Sequence, residues 1–218
     1  MSPAPLSQTA EDYLKEIHRL EAEHGRATTS ALAATLEVSP PSVTSMLKKL
    51  AALKLVVHEP YRGATLTPAG LKAAVEVIRH HRLLEVYLAE TLGMPIDEVH
   101  AEADRLEHAL SEELEARIDA SLGYPTHDPH GDPIPDANLN VGVDELRSLL
   151  ALTPGERSTV RRVPDEPTLL RYLHGLGLLP GAAVELVRRS PEREPVIVAT
   201  GGVEHAISFE LAGQIDVI

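Results

Sequence analysis

SPPSVTSMLKKLAALKLVVHEPYRGATLTPAG, residues 39–70, sets a helix beside a hairpin. Ser39 offers a side-chain oxygen at the helix start, and Pro41 sits in the first turn, where a missing N–H costs nothing. Val43, Met46, Leu47 and Leu50 recur at helical spacing and supply the inner face. Val56–Val57 and Ala64–Leu66, joined by a turn at Tyr61–Arg62–Gly63, read as two short strands. Upstream, Tyr13, Leu14, Ile17 and Leu20 stripe a helix over 7–24 that Gly25 ends, and Ser30–Leu36 forms a shorter one. Downstream, Thr67 and Pro68 open another helix, running to about Thr91. Helix, helix, turn, helix, hairpin predicts a winged helix-turn-helix.

Ser39, Ser42, Thr44, Ser45, Lys48 and Lys49 fall on the outward faces of the third helix, with Pro41 in its first turn and Arg62 at the hairpin tip. Short hydroxyls fit a major groove and lysines reach phosphates, so these eight residues are the candidate DNA contacts. The helix alone fits a capped, solvated helix equally well; the whole array favours DNA. The formal net charge of −13 does not oppose this, because it is unevenly placed. Residues 1–80 carry 9 Lys and Arg against 8 Asp and Glu, whereas residues 81–125 carry 3 against 11. A duplex feels charge only within about 10 Å at ordinary salt.

Of 218 residues, 43% are hydrophobic and 24% charged, a globular mix that excludes wholesale disorder. The chain has no Cys, which excludes disulfides, zinc fingers and thiol catalysis and suits a reducing compartment. No apolar run approaches the ~20 residues of a membrane span, and MSPAPLSQTAEDY lacks the blocks of a signal peptide. The expectation is a cytoplasmic protein without a membrane partner.

Residues 96–122 read as one long helix, striped by Val99, Ala103, Leu106, Leu110, Leu114 and Ile118, a core or dimer face. GYPTHDPHGDPIPDANLN, residues 123–140, is a loop or linker. Short β-type runs follow at Ser158–Val163, Ala183–Val187, Val196–Thr200 and Ala206–Phe209, with one helix, PTLLRYLHGLG, among them, which suggests a small β-barrel. The fold class is mainly α with small β parts. The domains are a winged helix-turn-helix over 1–72, a helical metal-binding and dimerisation domain over 73–140 and an SH3-like barrel over 141–218.

The chemistry lies in the window 80–108. His81 and Glu85 are i, i+4 on one helix; His100, Asp104, Glu107 and His108 lie at i, i+4, i+7, i+8 on the next. Imidazole with carboxylate and no sulfur suits Mn(II), Fe(II) or Zn(II). A solvated acidic face with incidental histidines is the plainer alternative; six donor-type residues on two consecutive helices weigh against it.

EDYL (11–14), SPPSVTSMLKKL (39–50), YRGATLTPAG (61–70), HHRLLE (80–85) and above all VHAEADRLEHALSEELE (99–115) resemble the diphtheria-toxin-repressor family of metal-dependent regulators, most closely its manganese-sensing branch. GLLPGAAVEL (177–186) and FELAGQIDV (209–217) resemble its SH3-like, FeoA-type C-terminal domain. The resemblance implies a primary metal site of Asp12, Asp104, Glu107 and His108. It implies an ancillary site of His81, Glu85 and His100, closed by an oxygen from the C-terminal domain, for which Asp165 and Glu166 are the candidates. The family's iron sensors carry Met and Cys where this chain has Asp12 and Asp104, which hardens the site towards Mn(II), with Fe(II) the alternative. Short manganese regulators place a second carboxylate where this chain has Lys15, which argues for two separated sites over a compact cluster. His80, His127 and His130 match no ligand of the family.

The implied function is a metal-dependent DNA-binding regulator, mainly a repressor of metal-uptake genes and not an enzyme. Metal joins the first helix to the dimerisation helix in a homodimer on a pseudo-palindromic double-stranded operator, with no small organic substrate. Two other readings stand beside it: a winged-helix regulator sensing an organic ligand, and a helical-bundle metalloenzyme. Against the second, the window lacks paired Glu-x-x-His motifs.

Overall fold

The computed structural model describes residues 6–59, 62–189 and 195–218; Tyr61 of the expected turn lies outside the described residues. The chain forms two compact units. One runs up to His80 and takes in Glu107–Leu110 and Pro135–Asn140; the other comprises His81–Leu106, Ser111–Ile134 and Val141–Ile218.

The first unit is the winged helix-turn-helix. Helix α1 (Gln8–His24) starts where the Ser7 side chain accepts the Ala10 N–H and ends at Gly25 in the left-handed region. Helix α2 (Thr29–Thr35) is capped by Thr28, and α3 (Pro40–Ala52) by Ser39, with prolines in its first turn. Tyr13, Leu14, Ile17 and Leu20 meet Leu32, Val43, Leu47 and Leu50 in one core. Strands β1 (Val56–Glu59) and β2 (Gly63–Leu66) pair antiparallel, Val56 with Leu66 and Glu59 with Gly63. The wing is tied to the start of α2 by reciprocal bonds between Ala27 and Ala64, at 3.0 and 2.8 Å. Gly63 is required there: a Cβ would stand 2.3 Å from the Ala27 carbonyl oxygen.

Helix α4 (Pro68–Val86) continues into a π-helical turn at Tyr87–Thr91. The expected single helix over 96–122 is a correction. It is broken into α5 (Val99–Leu106), a 3₁₀ turn (Glu107–Ala109) and α6 (Glu112–Ser121). The cause is local: the Ser111 side chain accepts the Leu114 N–H and opens a new helix with an acidic first turn. The stripe divides with it, for Val99, Ala103 and Ile118 are buried while Leu106 and Leu114 are 39% and 49% exposed.

In the second unit the loop before the barrel is ordered by Asp128, whose Oδ1 accepts the N–H groups of His130, Gly131 and Asp132, each at 2.9 Å. The His130 carbonyl accepts the Val163 N–H at 3.0 Å. At Gly131 (φ +96°) a Cβ would stand 1.9 Å from the Arg161 carbonyl oxygen, so only glycine lets the loop lie on that strand. The barrel strands are β3 (Arg147–Ser148), β4 (Arg157–Arg162), β5 (Ala183–Arg188), β6 (Val196–Thr200), β7 (Val203–Ile207) and β8 (Asp216–Val217). They form one sheet in the order β3-β8-β4-β5-β6-β7. Helices α7 (Pro167–Leu176) and α8 (Phe209–Gln214) close its core, in which Leu149, Leu170, Leu173, Leu186 and Val198 are fully buried. Phe209, expected to end a strand, begins α8 because Ser208 caps it. Ile96, just before α5, packs against this core. Among the described residues no helix is long and apolar enough to cross a membrane.

Candidate metal centre

The break at 107 decides how the donors group. On a single helix His100, Asp104, Glu107 and His108 would share one face; instead His100 and Asp104 stay on α5, and Glu107 and His108 ride on the 3₁₀ turn.

In the first unit, His108 Nε2 lies 2.9 Å from Asp12 Oδ1 and 3.4 Å from Glu107 Oε1. Its other nitrogen, Nδ1, donates to Glu11 Oε2 at 2.7 Å. That bond fixes the ring so that Nε2 faces two carboxylates. Glu107, 1% exposed, is held by Lys15, whose Nζ is 2.7 Å from Oε1 and 3.0 Å from Oε2. His80 Nδ1 donates to the Glu107 carbonyl at 3.1 Å and so anchors the turn. Burial pushes the Asp12 carboxyl above its ordinary range and Glu107 adds repulsion, against the pull of His108 and Lys15. Among the described residues, three carboxylates surround one imidazole and one ammonium, an excess of negative charge. A neutral Nε2 lone pair facing anionic oxygen is repulsive. The cluster therefore needs a proton or a cation, and its hard oxygen and imidazole donors fit a divalent first-row metal.

In the second unit, Glu85, 1% exposed, is the hub. Its Oε1 accepts from His81 Nε2 at 3.0 Å and His100 Nδ1 at 3.2 Å, with His130 Nδ1 at 3.8 Å. The His81 and His100 nitrogens that face it are 3.2 Å apart. Asp165 Oδ2 meets His100 Nδ1 at 2.6 Å, and Asp104 stands 3.3 Å from His81 and 3.5 Å from His100. Glu166 is engaged elsewhere: as the N-cap of α7 it accepts the Thr168 and Leu169 N–H groups. Donor atoms of Glu85, His100 and Asp165, of His81, His100 and Asp104, and of Glu85, Asp128 and His130 each fall within 4.8 Å of one another. Two imidazole nitrogens crowded onto one carboxylate oxygen also fit a shared cation.

Burial pushes the Glu85 carboxyl up, yet the hydrogen bonds from His100 and His81 prevail and hold it at about 2. The bonds to Asp165 and Glu85 raise His100 to about 10. In metal-free protein each shift has a definite sign. His100 stabilises fully below about pH 6.5, and that contribution is lost as pH rises towards 10; Glu85 contributes above about pH 4.5 and loses it as pH falls towards 2. Melting temperature in EDTA is expected to fall as pH rises above about 6.5, with His100→Asn flattening that fall. A melting temperature that climbs steadily from pH 6.5 to 9 contradicts this.

On α3, Ser39, Pro41, Ser42, Ser45, Lys48 and Lys49 are exposed and Thr44 is half-buried, its hydroxyl bonded to the Pro40 carbonyl. Ser39 Oγ accepts the Ser42 N–H, and Arg62 lies 3.3 Å from Glu59. Sequence reasoning missed Glu11 and Asp128, and read His130, with His127, as a plain loop residue able at most to bind metal weakly. Glu11 adjoins Asp12 and has no distinguishing spacing, and Asp128 and His130 lie in a loop without periodicity. His127 contacts Asp144 at 2.8 Å and also Arg161, which fastens the segment before the barrel.

Residues 5–64 match the family profile described as iron dependent repressor, N-terminal DNA binding domain. Residues 67–136 match its metal binding and dimerisation domain, and residues 147–218 match the FeoA domain. The iron-dependent repressor IdeR of Mycobacterium leprae is 33% identical over 225 residues, covering 97% of each chain. The diphtheria toxin repressor of Corynebacterium efficiens is 31% identical over 224 residues, covering 97% of this chain and 96% of its own. A solved manganese-dependent transcriptional repressor in complex with manganese superposes with a TM-score of 0.85 at 38% identity, covering 96% of this chain and 99% of its own. Such agreement along nearly the whole sequence means that this chain belongs to the iron-dependent repressor family, with a FeoA domain at its C-terminal end.

Proposed function

We propose that the protein is a cytoplasmic, metal-dependent transcriptional repressor that binds Mn(II), or alternatively Fe(II), and acts as a homodimer on operator DNA of metal-uptake genes. The observation that carries this reading is His108, oriented by Glu11 so that Nε2 faces the carboxylates of Asp12 and Glu107. A bound divalent ion supplies the positive charge that those donors lack. Asp104, which the family resemblance assigns to the primary set, stands instead beside His81 and His100 in the second unit, and with His81, Glu85, His100 and Asp165 it makes the proposed ancillary set.

Asp12 lies on α1, in one core with the reader helix α3, whereas Glu107 and His108 belong to the turn between α5 and α6. Holding Asp12 on His108 fixes α1 against that turn. Repulsion between Asp12 and Glu107 loosens the same contact when charge is not balanced. In a dimer, this setting decides whether two α3 helices match successive major grooves of a pseudo-palindromic site. Leu106 and Leu114 offer exposed apolar surface to the second copy. The shift in population is limited by the ion's differential affinity for the two settings. Ser42, Ser45, Lys48, Lys49 and Arg62 are the proposed DNA contacts.

The test is affinity for duplexes selected from a random pool, measured against free Mn(II). The reading expects a rise of about 100-fold or more between EDTA and saturating Mn(II). An affinity that stays flat rejects it and favours the regulator of an organic ligand.

A further inference from the structure

Lys15 is the remaining charge in the His108 cluster. It lies one turn after Asp12 on α1, and its ammonium contacts both oxygens of Glu107, at 2.7 and 3.0 Å. The Glu107 side chain is 1% exposed and that of Lys15 is 27% exposed, so a buried carboxylate is held by a cation reaching in from the surface. The oxygen nearer to Lys15, Oε1, is also the one nearer to His108 Nε2, at 3.4 Å. A buried carboxylate without a partner is costly, and the lysine removes that cost whether or not a metal is present. The same ammonium repels any divalent cation drawn to Asp12, Glu107 and His108.

We propose that Lys15 is a tethered cation of the primary site: a positioning residue that keeps Glu107 in place without metal and, by competing for its charge, sets the metal concentration at which the site fills. This rests on the metal-dependent reading above. An ion held by Glu107 would have to share that carboxylate with the lysine, so affinity would be lower than the oxygen donors alone would give. The protein then answers to an abundant ion and ignores a trace of it. A purely structural lysine makes the opposite prediction, because its removal would disorder Glu107 and weaken metal binding.

The experiment uses the full chain and MnCl₂ as the probe, with calorimetry and thermal melts on wild type, Lys15→Met, Lys15→Gln, Lys15→Arg and Asp12→Ala. The primary site is the Mn(II) binding that Asp12→Ala removes. Lys15→Met and Lys15→Gln are expected to bind there at least about tenfold more tightly than wild type. They should melt lower in EDTA and regain the loss in Mn(II), while Lys15→Arg stays within about threefold of wild type. If neither neutral variant folds in EDTA, a cooperative melt restored by Mn(II) alone supports the proposal, and failure to restore it overturns it. Equal or weaker Mn(II) binding by folded Lys15→Met and Lys15→Gln also overturns it. Absence of any Asp12-dependent Mn(II) binding in wild type would instead sink the metal-dependent reading itself, so the two failures are distinguishable.

Discussion

Asp12→Ala is expected to lose about 100-fold or more of the Mn(II)-stimulated DNA affinity and to leave the protein folded. Asp12 supplies the donor on α1 that faces His108 Nε2 at 2.9 Å, so its removal parts α1 from the turn that carries Glu107 and His108. The side chain is 42% exposed, and burial raises its pKa against the help of His108 and Lys15. The ionised group therefore sits in metal-free protein at a net cost. Its loss relieves repulsion with Glu107 and gives up the contact with His108, and solvent screens both at this exposure, so melting in EDTA should stay near that of wild type. Anisotropy titrations in Mn(II) and in EDTA, paired with melts, read both effects. Wild-type stimulation by Mn(II) in this variant contradicts the assignment.

Glu85→Ala should be the most destabilising change in the ancillary cluster. The carboxylate is 1% exposed and receives His81 and His100, with His130 beyond, so its deletion leaves imidazoles facing one another around a void. Removing one partner of a buried charged group costs on the order of 3–5 kcal/mol. His100 keeps Asp165 at 2.6 Å and softens the loss, which puts the expectation at the low end, about 3 kcal/mol in urea unfolding with EDTA. The variant should also bind one Mn(II) fewer per chain. A stability within 1 kcal/mol of wild type would show that the hub is not structural.

The reader was legible because its signals are local. Ser39, the prolines after it and the period of Val43, Leu47 and Leu50 fix α3 without help from distant residues. The break at residues 107–111 is hidden, because Val99, Ala103 and Ile118 keep a helical period across it. Ser111 followed by three acidic residues was a start signal hidden inside that period. With the break hidden, spacing alone puts Glu107 and His108 on one face with His100 and Asp104, and only the family resemblance separates Glu107 and His108 from His100. The choice between Asp165 and Glu166 also lay outside local reading. Glu166 satisfies the first N–H groups of α7, which leaves Asp165 to meet His100. Donors such as Asp128 and His130 come from a loop whose course depends on Gly131 lying against β4, a tertiary fact without a periodic signature.

The most direct test is anomalous scattering at the manganese edge from crystals of the full chain grown with Mn(II). A peak bonded to Asp12, Glu107 and His108, with Glu11 still on His108 Nδ1, is the result expected here. Crystals with manganese bound only around Glu85, and with Asp12 and His108 bare of it, would contradict the claim that the first helix is held through this cluster.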